Sequence, residues 1–247
     1  MKWLKNEINT VLHYNMCLIG GMLGVYALLL RGGNFGSAQT GNLIEALISG
    51  LEGNVMDMAV RLMALVIYGA TLIAVFLVSK YFKGDMRRLC IVIEAAGIVL
   101  AGCIPLTADP IVALYPVFFA TACQWGIFSG ARGYNSATIF STNNVKQMLL
   151  GWTEYIRTKA LKEKEKAVFY TLTLTFFHIG VVLGFFAVKL LTVRAAWLSL
   201  IPLGSALALT MIKTDSAAGR DTAQSTGRDA AKDTVLKKQP AAVSMKA

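Results

Sequence analysis

Two short polar stretches hold most of the side chains that could bind a solute. The first is Phe35–Asn42, "FGSAQTGN", with Ser37, Gln39, Thr40, Gly41 and Asn42. The second is Ser136–Asn144, "SATIFSTNN", with Ser141, Thr142, Asn143 and Asn144. Hydroxyl and amide side chains both donate and accept hydrogen bonds. Ser, Thr and Asn are also favoured at helix N-caps, where they accept from free backbone amides. Because a helix N-terminus adds the positive end of its dipole, a polar stretch that opens a helix suits a small anionic or polar solute. The competing reading is a surface loop, or small residues that let helices pack closely.

Position sets these stretches apart from ordinary loops. A shift of 102 residues superposes Gly24 on Gly126, Thr40 on Thr142, Asn42 on Asn144 and Leu47 on Leu149. Each stretch is followed by a short apolar run, "LIEALISG" or "VKQMLLGW", and the first run ends in the turn-like Leu51–Asn54. Runs of roughly eight to ten residues are too short to span a bilayer and read as re-entrant or interfacial. The spacing predicts one half-helix starting near residue 40 and another near residue 142.

Three further residues bear on the chemistry. Glu94, in "IVIEAAG", lies one to two turns inside an apolar run, where an ionisable group suggests ion or proton coupling or, near the boundary marked by Arg87 and Arg88, a structural role. His178 can serve a proton relay, against the plainer reading of a hydrogen-bonded interior histidine. Gln124 can bind a substrate or a neighbouring helix. His13, near the membrane edge, carries no assignment. The four cysteines (17, 90, 103 and 123) show no CxxC spacing and read as buried free thiols, with no metal or disulfide expected.

The elements that must position these groups are apolar helices. The 247-residue chain is 55% hydrophobic and 15% charged, against about 25% charged in soluble domains. Six runs approach the roughly 20 residues needed to cross a bilayer core: 11–30, 58–79, 89–106, 111–128, 167–188 and 195–212. They divide into repeats 11–106 and 110–212. With three crossings per half, the halves are inverted if they are homologous, as in many transporters. With both termini on one side, that side holds 20 of the 24 Lys and Arg residues. The bias places the termini in the cytoplasm and argues against nucleic acid as the partner of a chain of charge +10. Met1–Leu30 lacks a small-x-small cleavage site and reads as an uncleaved first helix. Residues 152–166, "WTEYIRTKALKEKEK", read as a basic helical link bordering anionic lipid. Residues 213–247 read as a disordered cytoplasmic tail.

Enzyme signatures are absent. There is no HExxH, no G-x-S-x-G, no P-loop and no convincing acid pair, and the chain has only two histidines. No cofactor is expected.

The first motif, Phe35, Ser37, Thr40, Gly41 and Asn42, resembles the F-x-S-x-x-T-G-N signature of the YoaK family, a group of bacterial membrane proteins of unknown function. "CQWGIFSG" with "SATIFSTNN" is similar to its second-half pattern, and the resemblance covers about residues 10–212. It implies a six-span protein of the bacterial inner membrane. Relatives often carry an acid where this chain has Gly24, and the second-half Asn and TG are here Trp125 and Thr142-Asn143. Any ion-coupling role of that acid would pass to Glu45 or Glu94.

The expectation is therefore an all-α membrane protein, with six transmembrane helices as two inverted repeats and a half-helix after the first span of each. The expected function is a secondary transporter for a small-molecule or ion substrate, embedded in membrane lipid. A channel-like pore and a non-transporting scaffold or sensor are the alternatives, and the sequence also admits a homo-oligomer.

Overall fold

The computed structural model describes residues 2–212, so the tail expected over 213–247 lies outside the described residues. The chain is mostly helical: α1 (Lys2–Leu30), α2 (Gln39–Leu51), α3 (Val55–Tyr81), α4 (Met86–Cys103), α5 (Tyr115–Ile127), α6 (Thr142–Thr158), α7 (Leu161–Leu191) and α8 (Leu200–Met211). Short 3-10 segments, Val112–Leu114 and Thr192–Ser199, lead into α5 and α8. Pro116 in the first turn of α5 and Pro202 in that of α8 sit where a missing N–H breaks no intrahelical bond. By length and composition, Asn6–Leu30, Val55–Tyr81 and Leu161–Met211 can cross a membrane, and the last of these runs from α7 through to α8.

Two helices start where the polar stretches predict, at Gln39 and Thr142. Both exceed the predicted length: α2 has 13 residues and α6 has 17, or about 20 and 25 Å at 1.5 Å per residue. The excess in α6 comes from the basic link, whose residues as far as Thr158 continue its amphipathic pattern. Lys159, at φ 57°, then turns the chain directly into α7. The last predicted span is not one α-helix, because Thr192–Ser199 is wound as 3-10.

One feature departs from an all-α fold. Gly130–Ala131 pairs antiparallel with Tyr134–Asn135 around Arg132 and Gly133, both at positive φ. Two left-handed residues in succession make the tight turn that suits a two-residue hairpin. Arg132 ties this hairpin to α1, donating to Glu7 Oε1 at 2.6 Å and to Thr10 Oγ1 at 3.1 Å.

Packing partners follow a regular pattern. The helix α1 lies on α7 and α8, while α5 lies on α3 and α4; α2 rests on α3, and α6 on α7. The α1–α7 contact is backbone to backbone: a β-carbon at Gly180 would stand 2.0 Å from the Leu18 carbonyl oxygen, and one at Gly21 2.0 Å from that of Phe177. Of the most apolar window of α1, 72% is buried, against 22% for α3. Ile73, Phe76, Leu77 and their neighbours on α3 thus face outward, which suits a helix solvated by lipid.

Candidate functional site

The two polar stretches meet. Ser37 Oγ, 5% exposed, donates to the Ile139 carbonyl at 3.0 Å, across 102 residues of sequence. The helix α5 touches both stretches. Thr121 Oγ1 donates to the Gly36 carbonyl at 3.1 Å, and Gln124 Nε2 donates to Thr138 Oγ1 at 2.9 Å and to the Met16 carbonyl at 2.8 Å. The second stretch is pressed against α1 so closely that a β-carbon at Gly20 would lie 2.2 Å from the Thr138 carbonyl oxygen. Glycine is what allows that approach.

The helix starts are arranged differently from the expected N-caps. The N-cap of α2 is Ala38 and that of α6 is Ser141, and no described side chain caps either helix. Their first amides are thus left to other partners. Thr40, Gly41, Thr142 and Asn143 are exposed at these starts. Gln39 Nε2, Ser141 Oγ and Gln124 Oε1 are buried atoms with no hydrogen-bond partner among the described residues. Each such atom costs about 1–3 kcal/mol if nothing else reaches it.

Asn42 and Asn144 are brought into place by separate networks and do not bond to each other. Asn42 Nδ2 donates to Gln39 Oε1 at 3.1 Å and to the Arg61 carbonyl at 2.9 Å, fixing α2 on α3. Asn144 Nδ2 donates to the Ala137 carbonyl at 2.7 Å, and its Oδ1 accepts from Ser136 Oγ at 2.9 Å. Since the Ser136 proton is used there, Ser136 Oγ accepts from His13 Nε2 at 3.1 Å, which places the imidazole proton on Nε2. His13, Ser136 and Asn144 thus form one buried chain, with the His13 ring stacked on Phe169 at 5.3 Å. Sequence reading assigned nothing to His13, because its partner is 123 residues away.

The three ionisable candidates part company. Glu45 is exposed and pairs with Arg61 at 2.5 Å. Arg61 also holds Asp57 at 2.7 Å and Asn34 Oδ1 at 3.1 Å, a cluster spanning α2, α3 and the loop before α2. His178 is exposed, and its Nδ1 bonds the Leu174 carbonyl in its own helix at 2.7 Å, so nothing described here connects it to a relay. Glu94 is fully buried, and neither carboxyl oxygen has a hydrogen-bond partner among the described residues. Gly24 receives the ring of Phe35, to which a β-carbon there would come within 2.9 Å.

Sequence reading also assigned no role to Arg31, one of the four Lys and Arg residues on the side opposite the termini. It is completely buried and donates to the carbonyls of Pro105 at 3.0 Å and Ile104 at 2.8 Å and to the Tyr26 hydroxyl at 3.2 Å, which itself donates to Ala101. The guanidinium therefore closes the carboxyl end of α4, where a cation meets the negative end of the dipole. Among the described residues, no cluster of three or more His, Cys, Asp and Glu side chains is placed to hold a metal.

No curated protein and no solved structure matches the chain. A family described as "Protein of unknown function (DUF1275)" matches residues 12–210, in agreement with the YoaK-type resemblance of the two polar motifs. Matched over most of its length, the chain belongs to this family.

Proposed function

We propose that the chain is a secondary transporter of the bacterial inner membrane, with six spans in two inverted repeats and both termini in the cytoplasm. Its substrate is a small anionic or polar solute held between the starts of α2 and α6. The observation that carries this reading is the meeting of two polar stretches 102 residues apart in sequence, through Ser37 and Ile139. The packing supports it. If α1 is matched with α5, α2 with α6, α3 with α7 and α4 with α8, each pairing turns into another: α1 on α7 and α8 becomes α5 on α3 and α4, and α2 on α3 becomes α6 on α7. Such an exchange is what a two-fold relation between halves produces. On this reading Gln39, Thr40, Gly41, Ser141, Thr142 and Asn143 face the solute, with Gln124 behind them. Asn42 and Asn144 hold the two helix starts in place.

Uptake into liposomes tests the proposal, using a panel of small organic and inorganic anions. Saturable uptake that shows counterflow and falls at least tenfold in Gln39→Leu and Thr142→Val supports the carrier. Linear flux would favour a pore. Binding and flux unaltered by both substitutions, in folded protein, would remove the site.

A further inference from the structure

Outside the contact between the two polar stretches, the interior holds a second group of chemically active side chains. Met86, Cys90 and Glu94 follow at four-residue intervals on α4, which puts them on one face of that helix. Cys123 of α5 comes to the same place, lining one cavity with Met86 and Cys90. Cys90 and Cys123 are 1% and 3% exposed. A half-open cavity of about 100 Å³ between α3, α4 and α5 is lined by Met86, Cys90 and Cys123, with Thr71, Val75 and Phe119 among its other walls. One thioether and two thiols thus line one small space that otherwise has mainly hydrocarbon walls. Glu94, four residues after Cys90 on α4, has both carboxyl oxygens unpartnered among the described residues. A buried polar group without a partner is costly, but the cavity itself is lined by three sulfur-bearing residues and not by Glu94.

From this geometry we infer a binding site for a soft monovalent cation of the silver(I) or copper(I) class, held by Cys90, Cys123 and Met86. Thiolate and thioether sulfur select such ions over hard divalent cations, which prefer oxygen. Few donors are needed, because soft d10 ions accept two or three sulfur ligands. On binding, one S–H bond breaks and one metal–sulfur bond forms. The proton is released to the buffer, no electron is transferred, and the loaded thiolate–cation pair is neutral. The other thiol and the Met86 thioether add lone pairs without changing that charge, and Glu94 lies at the inner end of the row. The site is separate from the proposed solute site and stands whether or not that reading does.

Silver(I) is the probe of choice because it needs no reductant. In full-length protein carrying Cys17→Ser and Cys103→Ser, titration should find one silver per chain, and X-ray absorption two or three sulfur neighbours. Replacing either Cys90 or Cys123 by Ser should weaken binding by about 100-fold, the lower end of what two linked contacts gain over one; Met86→Leu should weaken it less. A readout free of these substitutions is protection: one equivalent of silver should shield both remaining thiols from a maleimide together. Two silvers per chain, single-sulfur shells, protection of one thiol at a time, or a Cys90→Ser protein that binds as tightly as its parent would each overturn the site.

Discussion

Replacing Ser141 by Ala should raise stability and lower transport at once. At an ordinary N-cap, Ser→Ala costs about 0.5–2 kcal/mol because the hydroxyl accepts from a backbone amide. Ser141 occupies the N-cap of α6 but caps nothing there, and its buried Oγ lacks any partner among the described residues. The usual cost is therefore missing, while the penalty for an orphaned hydroxyl, about 1–3 kcal/mol, is removed. Taking the lower end, because α6 begins close to the surface, the gain is about 1 kcal/mol, or about 2–4 °C in Tm for a chain of this size. The assay is thermal unfolding of purified protein in detergent, alongside solute uptake in liposomes. If the hydroxyl exists for a solute, uptake falls as Tm rises. A Ser141→Ala protein that loses 1 kcal/mol or more would show that the hydroxyl is satisfied in the folded protein, and the reasoning from its orphaned state would fail.

Other substitutions test other parts of the architecture. Gly180→Ala should destabilise by about 1–3 kcal/mol or more, because its new β-carbon meets the Leu18 carbonyl, whereas Gly204→Ala, with open space around it among the described residues, should be neutral or stabilising; paired melting curves decide. Arg31→Lys should cost about 1.5–3 kcal/mol, one charge-assisted hydrogen bond, since an ammonium on a flexible stem cannot reproduce the fork onto Ile104 and Pro105; hydrogen exchange should show the loosening at the end of α4. Asp85 caps α4, and although burial tends to raise its pKa, the hydrogen bond and charge of Arg87, helped by the Arg87 amide and by Arg88, hold it below the usual 3.8. A depressed carboxylate pKa adds stability that is complete above 3.8 and disappears as pH falls through the folded value. Wild-type protein should thus lose stability in that acidic window more steeply than Asp85→Asn.

Particular residues explain what could be read before the structure. The starts of α2 and α6 were legible because small polar residues interrupt an apolar chain twice at one offset. The length of α6 was not: residues 152–158 are polar enough to look like a linker, and only the surface of α7 gives their apolar side something to cover. Glu94 could be recognised as a buried acid from its depth within an apolar run. Its neighbours could not, since Cys90 and Cys123 come together through the packing of α4 on α5, which leaves no local spacing signal. Arg31 misled for a related reason. Composition assigns a loop arginine to water, while here three oxygen acceptors from α1 and the end of α4 surround it. The two asparagines show the same limit: their polarity was visible, but their use in holding backbone was not.

The contact between α1 and α7 also bears on how the protein is made. The first helix to leave the ribosome is the most enclosed of the three long apolar runs, yet α7 begins at residue 161, about 130 residues after α1 ends. Gly20 and His13 wait for residues 136–144, and Gly21 for α7 itself, and domains of this size acquire such distant contacts late. The newborn first half is thus an incomplete object, with an open flank that the second half must find and close. Interrupted synthesis, or a stop between α4 and α5, should leave a species marked for removal by membrane quality control.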